Sequence, residues 1–351
     1  MTATANPTSA MQKKTPSDRL LYLDALRGMA IIFVVWLHAS SYSHHEITDP
    51  TALFVLRFIN PGVAFFFLTD GFLFARHMSR YQEFEYVDYM RKSAWRLLLP
   101  WLIFTASYGM LRAGFESVGF FTTYLLIGHS FTEILGSLFN SSFAMQMYFL
   151  MSLFLIRALS PVTRHLVIKG GLAALLATVV YIIILNSSNF KLGTDPVTNA
   201  IAGFQYYLLG ILYFHLDGIF RRRAPPVALS CLFGYTIMVA LEVRGLLPVS
   251  AEILTKLVAM TANYALYLFA VRRVGVLVRL GQHTMEIYLL HAPVLIFGVA
   301  LVAGQVVTNP LYLHLVVTSA SLLGAIAAGW TISRIPRGRF VFGGASRWVA
   351  G

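Results

Sequence analysis

The chain of 351 residues is 57% hydrophobic and only 12% charged, with a mean hydropathy of +0.69. A soluble domain of this length cannot bury so much apolar surface, so lipid must cover part of it. The formal net charge of +12 does not indicate nucleic-acid binding, because the basic residues form short clusters between apolar segments rather than one continuous face. The single cysteine, Cys231, excludes a disulfide framework within the chain.

The chain begins with a polar segment, residues 1–18, which precedes a long apolar segment. That apolar segment is too long for a signal peptide and has no small-residue cleavage site after it, so we predict a disordered cytoplasmic tail followed by a retained helix. A bilayer core of ~30 Å needs ~20 apolar residues per helix, and only helices satisfy their backbone groups there. The sequence therefore predicts an all-α polytopic membrane protein of about ten transmembrane helices. The ten apolar segments are Leu20–Ser41, Leu53–Arg76, Leu97–Ala113, Phe143–Leu159, Gly171–Leu185, Ala200–His215, Val227–Val243, Ile253–Val271, Leu280–Val302 and Leu311–Ile332.

The distribution of Lys and Arg predicts the orientation of these helices. With the N-terminus inside and Arg27 set aside, 21 of the Lys and Arg residues fall on the inner side and 5 on the outer side. Short cytoplasmic loops carry such an excess. We therefore predict that both termini are cytoplasmic, with a transmembrane domain over residues 19–334 and a second cytoplasmic tail over residues 335–351. The longest outer loop, Gly114–Ser142, is rich in aromatic residues. It is typical either of a short interfacial helix that covers a cavity or of an aromatic belt at the lipid surface.

Two ionisable residues, Arg27 and His38, lie eleven positions apart in the first apolar segment. In a helix this spacing corresponds to about 1,100° of rotation and about 16 Å of rise, so the two side chains share one face. Ionisable groups inside a bilayer mark functional sites, since they are costly there. A guanidinium binds phosphate or carboxylate, and an imidazole transfers protons near neutral pH. The alternative interpretation is structural, with Arg27 extending to lipid headgroups and His38 serving a helix contact.

The segment from Leu23 to His38 resembles the signature of the acyltransferase 3 family, an Arg and a His separated by ten residues. Four further segments resemble motifs of the same family in the same order: Phe65–Leu73, Arg91–Pro100, Phe204–Gly210 and Leu280–Pro293. Two positions depart from the family pattern. Asp70 stands where the family usually has Ser, and Ser93 stands where the first Arg of an Arg-x-x-Arg pair is expected, which leaves Arg96 as the matched position.

The resemblance implies a membrane O-acyltransferase of the cell inner membrane. Its expected donor is cytoplasmic acyl-coenzyme A, most often acetyl-coenzyme A, and its acceptor is a hydroxyl of a carbohydrate or lipid-linked glycan. We expect Arg27, Arg91, Lys92 and Arg96 to hold the donor phosphates and His38 to act as general base. The group that stabilises the oxyanion is not identifiable from the sequence, and a covalent acyl-histidine remains an alternative route. No metal and no nucleic acid are expected in the reaction.

Three further residues complete the predicted site. Asp70 is expected to orient His38 or to pair with Arg27, with a structural ion pair as the alternative. Glu286 and His291 are five residues apart, or about 500° of helical rotation, so their side chains point in different directions. We predict that Glu286 is the partner of His38 and a catalytic residue, and that His291 is a packing residue.

The competing function is a transporter or flippase for an anionic or lipid-linked substrate, because intramembrane charges also mark transport routes. A membrane scaffold without activity is disfavoured, since it does not need such charges. A metal site at His44, His45 and Glu46 is a further, weaker alternative, because two neighbouring histidines and one acid occur often by chance.

Overall fold

The computed structural model describes residues 20–344 apart from 41–49, 82, 122, 188–194 and 249–250. Within these residues the protein is helical and contains no strand, which confirms the all-α prediction. The α-helices are α1 (Leu21–Ser40), α2 (Pro50–Ile59), α3 (Gly62–Arg80), α4 (Tyr86–Ser117), α5 (Phe131–Phe139), α6 (Tyr148–Ala158), α7 (Ser160–Lys169), α8 (Gly171–Ser187), α9 (Pro196–Val243), α10 (Ala251–Ala270), α11 (Gly275–Gln282), α12 (Thr284–Leu290), α13 (Ile296–Ala303) and α14 (Pro310–Arg334). A π-helical turn, His291–Leu295, joins α12 to α13.

In the described part of the chain, six helical stretches are long and apolar enough to cross a membrane. They are α1, α2 with α3, α9, α10, α12 with α13, and α14. Helices α6 and α7 are bent by 61° and add a seventh if they form one crossing. The chain is therefore a multi-pass membrane protein, while the number of ten spans and the orientation of the termini stay predictions.

The difference between ten segments and six stretches has a local cause at several places. Helix α9 has 48 residues and contains two of the predicted segments. At ~1.5 Å per residue it is about 72 Å long, more than twice the bilayer core. Its helical geometry is interrupted at Arg223, just before Pro225 and Pro226, which cannot continue a regular helix. Helix α8 has only 17 residues.

Helix α1, which carries Arg27 and His38, lies in the interior of the protein. It packs against α3, α10, α11, α12 and α14. Its Ala, Leu, Ile and Val side chains are mostly buried, with Ala25, Ala30, Ile31 and Val35 completely inaccessible. Ionisable side chains on this helix are therefore surrounded by other helices.

Paired glycines bring the helices around α1 close together. Gly28 of α1 faces the backbone carbonyl of Leu277 in α11, and Gly281 of α11 faces the carbonyl of Asp24 in α1. A methyl group at either glycine would overlap the opposite carbonyl oxygen. Small residues allow such close approach of helix backbones in membrane proteins. The crossing of α1 and α11 therefore depends on both positions, and one of them is next to Arg27.

Gly28→Ala and Gly281→Ala are each expected to lower the free energy of unfolding by about 1–3 kcal/mol, because the added methyl forces the two backbones apart. The measurement is thermal unfolding of the purified protein in detergent. Gly298→Ala in α13 is the control, since a methyl there meets no atom within 4 Å in the described part of the chain. Equal melting temperatures for all three variants would contradict this account of the crossing.

The predicted outer loop contains the short helix α5, which begins with a capping box between Ser130 and Glu133. The loop is tied to the end of α4 by Glu116, whose buried carboxylate accepts hydrogen bonds from Arg112 Nε at 2.8 Å and from the backbone amides of residues 125–127. Burial raises the pKa of Glu116, but the bonds from Arg112 and the amides outweigh it and lower the pKa to about 2. The carboxylate therefore stays ionised at neutral pH and holds the loop in place.

The predicted C-terminal tail, residues 335–351, begins with a folded segment. A 3₁₀-helix, Gly338–Phe342, follows α14. The ring of Phe342 is completely buried and stacks on Phe104 of α4 with 6.1 Å between ring centroids. The remaining residues, 345–351, lie outside the described residues, as do residues 1–18.

Candidate active site

A cavity of about 200 Å³ lies among α1, α3, α4, α6, α11 and α12. Four charged side chains line it: Asp24, Arg27, Asp70 and Arg157. Aromatic side chains, including Phe66, Phe149 and Tyr288, form much of the remaining wall. The charges of the two acids and the two guanidiniums cancel. The cavity therefore has no net positive charge, and only the parts of its wall near the guanidiniums are positive.

Arg27 is held in this cavity by α3. Its Nε donates to Thr69 Oγ1 at 3.2 Å, and the completely buried Thr69 hydroxyl donates in turn to the carbonyl of Phe66 at 3.0 Å. This position differs from that of an arginine extending to lipid headgroups. The structure thus places a permanent cation inside the helix assembly, where a bound anion is able to meet it.

Asp70 is bonded to Arg157 of α6 rather than to His38 or Arg27, so the prediction of its partner is wrong. Arg157 Nε donates to one carboxylate oxygen at 2.9 Å, and Nη2 donates to the other. The exposed fractions of the side chains are 18% for Arg157 and 7% for Asp70. This two-point contact is the strong geometry for a guanidinium and a carboxylate. The structure thus agrees with the alternative interpretation, in which Asp70 belongs to a structural ion pair, and its partner in that pair is Arg157.

Two charged residues of the cavity, Asp24 and Arg157, are not among the site residues predicted from the sequence. Arg157 is near the end of the predicted apolar segment Phe143–Leu159 and is one of the 21 basic residues assigned to the inner side. Two features of the sequence point to Arg157. It is an ionisable residue inside an apolar segment, and Asp70, an acid inside another apolar segment, requires a cation. What the sequence does not show is that these residues, 87 positions apart, meet.

The three basic residues predicted to hold the donor phosphates with Arg27 lie elsewhere. Arg91, Lys92 and Arg96 are exposed residues of α4 and do not line the cavity. Lys92 forms an exposed ion pair with Asp88, one helical turn earlier. The role of these three residues in donor binding stays a prediction.

His38 meets a second histidine at the other end of the shared face of α1. His38 Nδ1 lies 3.3 Å from Nε2 of His291, which is completely buried at the end of α12. The same Nδ1 lies 2.9 Å from the carbonyl oxygen of Val34. The ring centroids of the two histidines are 5.1 Å apart. The histidine in contact with His38 is therefore His291, which was predicted only to pack, and whether His291 also has a role in the reaction is not decided by this contact.

Glu286 is completely buried, and its two carboxyl oxygens form no hydrogen bond to any described residue. One of them lies 3.6 Å from His283 Nδ1. The prediction that Glu286 is the partner of His38 is thus also wrong. The orientation of α12 about its axis explains why His291, and not Glu286, contacts His38. Thr284 and Tyr288 line the cavity and lie on the face that leads to His291 three residues later, whereas Glu286 lies on a different face.

Aromatic rings connect the cavity to the two histidines. Phe149 and Tyr288 both line the cavity, with their ring centroids 5.5 Å apart. The ring of Tyr288 is in turn 6.1 Å from that of His291. The Tyr288 hydroxyl donates to the carbonyl of Gln146, and the Gln146 amide donates to the carbonyl of Ala292, which fixes this part of the wall. The alternative metal site at His44, His45 and Glu46 lies outside the described residues.

Comparison with known proteins agrees with the resemblance in the sequence. Residues 20–333 match the family described as acyltransferase domain, acyltransferase 3. No curated protein and no solved structure matches the chain. The family match covers nearly the whole chain, including all five segments that resemble the family motifs. The chain therefore belongs to the acyltransferase 3 family and is a multi-pass membrane acyltransferase.

Proposed function

We propose that this protein moves an acyl group, most often acetyl, from cytoplasmic acyl-coenzyme A to a hydroxyl of a carbohydrate or lipid-linked glycan in the cell inner membrane. The observation that carries the proposal is the arrangement along α1. Arg27 lines a cavity, and His38 lies about 16 Å further along the same helix, beside rings that continue the cavity wall. In our proposal Arg27 binds the anionic donor and His38 accepts the proton, at two different depths along α1.

The size of the cavity indicates how the donor enters. Sites for drug-sized ligands measure ~300–1,000 Å³, and this cavity is smaller, at about 200 Å³. We therefore propose that it holds only part of an acyl-coenzyme A molecule. In our proposal Arg27 binds the diphosphate of acyl-coenzyme A. The narrow pantetheine chain with its acyl group extends toward His38, and the nucleotide stays outside the cavity. The exposed cations Arg91, Lys92 and Arg96 would then attract the anionic donor by a long-range, salt-dependent field.

The proposed reaction needs one base. His38 removes the proton of the acceptor hydroxyl as the oxygen attacks the thioester carbonyl. The tetrahedral intermediate then expels the coenzyme A thiolate, which takes the proton from His38. One C–O bond forms and one C–S bond breaks, and the products are the acyl ester and free coenzyme A.

Purified protein in proteoliposomes with radiolabelled acetyl-coenzyme A tests this function. A short oligosaccharide and its polyprenyl-linked form serve as acceptors, and the readouts are released coenzyme A and labelled glycan. Acceptor-dependent release supports the proposal. Movement of the lipid-linked glycan across the bilayer without consumption of acetyl-coenzyme A would instead support the transporter or flippase. Mass analysis of surface glycans from cells with and without the gene identifies the natural acceptor.

Arg27→Gln is expected to raise the dissociation constant of acetyl-coenzyme A by about 10- to 100-fold, since hydrogen bonds to a charged group contribute about 1.5–3 kcal/mol. Isothermal titration calorimetry measures the change. Arg244→Gln is the matched control, because Arg244 is exposed, lies outside the cavity wall and has no predicted part in donor binding. Its effect should be small and should disappear at high salt. Unchanged binding by Arg27→Gln, in a variant with normal thermal unfolding, would remove Arg27 from this role.

A further inference from the structure

The completely buried histidine beside the proposed base has no part in the reaction described above. We propose that His291 is the positioning residue of His38: it keeps the neutral ring of His38 protonated on Nδ1, so that Nε2 is the atom that accepts the hydroxyl proton. This inference rests on the proposed function, and it assigns a separate role to each histidine: His38 accepts the proton and His291 orients His38.

The hydrogen-bond directions begin at His291. Its Nδ1 lies 3.0 Å from the carbonyl oxygen of Ile287 and 2.9 Å from that of Tyr288. Carbonyl oxygens only accept, so this Nδ1 carries a hydrogen and donates it. A neutral imidazole has one donor and one acceptor nitrogen. The Nε2 of neutral His291 is therefore an acceptor, and its lone pair faces His38.

The same reasoning then assigns the ring of His38. Its Nδ1 lies between two acceptors, the Val34 carbonyl at 2.9 Å and His291 Nε2 at 3.3 Å. A nitrogen facing two acceptors must carry the hydrogen. A cationic His291 donating to an unprotonated Nδ1 would leave the lone pair of that nitrogen against the Val34 carbonyl, which is repulsive. Two cationic rings would place like charges 3.3 Å apart in a buried position.

The arrangement also serves the charged state of the base. When His38 takes the acceptor proton on Nε2, its Nδ1–H keeps both acceptors, and the buried His291 supplies one of them without water. In acyl transfer by other enzymes a buried carboxylate orients the base histidine and stabilises its imidazolium. Here a neutral imidazole occupies that position. His291 neither gains nor loses a proton over the reaction, because the proton moves from the hydroxyl to His38 Nε2 and then to the thiolate.

Two substitutions at position 291 separate positioning from packing. His291→Gln places an amide oxygen near the original Nε2, so an acceptor for His38 remains. His291→Asn keeps an amide donor near the original Nδ1, facing the carbonyls of Ile287 and Tyr288, and loses that acceptor. We expect kcat for acetyl transfer to fall by about 100-fold or more in His291→Asn and by about tenfold or less in His291→Gln. KM for acetyl-coenzyme A should change little in either variant. Equal losses of kcat, or a larger loss in His291→Gln, would overturn the proposal.

The second measurement does not depend on activity. Magic-angle-spinning NMR of the wild-type protein in lipid, with ¹⁵N-labelled histidine, distinguishes protonated from unprotonated ring nitrogens. The signals of His38 are assigned by their absence in His38→Gln. A protonated Nδ1 and an unprotonated Nε2 at neutral pH are expected, and the reverse tautomer would overturn the proposal even if both variants at position 291 fail to fold. Failure of the proposed function would appear separately, as absence of acetyl-coenzyme A turnover in the wild-type protein.

Discussion

His38→Ala is expected to lower kcat for acyl transfer by about 10²- to 10⁴-fold, the usual contribution of a general base. KM for acetyl-coenzyme A should stay close to the wild-type value, because the donor phosphates are proposed to bind near Arg27, about 16 Å away along α1. Steady-state kinetics in proteoliposomes with radiolabelled acetyl-coenzyme A measure both constants. A loss confined to KM would contradict the assignment of His38 as the base.

His165→Ala provides a matched control for this substitution. His165 Nδ1 lies 2.7 Å from the carbonyl of Pro161 one helical turn earlier, just as His38 Nδ1 lies near the Val34 carbonyl. His165 is exposed, however, and does not line the cavity. Its replacement should leave kcat unchanged, which shows that loss of a helical histidine with this backbone contact is not itself damaging.

Asp70→Asn is expected to lower the free energy of unfolding by about 3–5 kcal/mol, because it leaves the guanidinium of Arg157, whose side chain is only 18% exposed, without its carboxylate. Thermal unfolding in detergent measures the loss. The exposed pair of Asp88 and Lys92 offers the control, and Asp88→Asn should leave the melting temperature unchanged.

A double variant, Asp70→Asn with Arg157→Gln, tests the origin of that loss. If an uncompensated charge causes the instability, removal of the second charge should restore much of the melting temperature, since the buried pair contributes little net free energy when both members are replaced. A double variant that is less stable than Asp70→Asn alone would show that Arg157 stabilises the protein through other contacts, such as the one its Nη1 donates to Ser93 Oγ at 3.4 Å.

The site could be predicted from sequence where one helix determines the geometry. Arg27 and His38 belong to a single helix, and the rotation per residue alone predicts that they share a face. The directions of Glu286 and His291 were likewise predicted to differ. Which of the two faces α1 depends on how α12 packs against its neighbours, and the spacing of residues along α12 carries no information on that. The choice of Glu286 over His291 was wrong for this reason.

The contacts that periodicity cannot predict are those between distant helices. Asp70 and Arg157 meet only because α3 and α6 border the same cavity. The number of membrane-spanning helices is difficult to predict from the sequence for a similar reason. Two apolar segments separated by Arg221–Arg223 predict two helices, whereas the structure contains one helix with a break at Arg223. Hydropathy identifies apolar segments, but it does not determine how consecutive segments are joined.

Photocrosslinking tests most directly whether the cavity beside Arg27 and the two histidines form one binding path for the proposed donor. A thioether analogue of acetyl-coenzyme A with a diazirine at its acyl end is bound to the wild-type protein in proteoliposomes and irradiated, and the labelled peptides are identified by mass spectrometry. Label in residues 31–40 and 288–296, reduced by excess acetyl-coenzyme A, is the result that we predict. Label confined to exposed residues of α4, or to helix faces remote from His38 and His291, would contradict the proposed site.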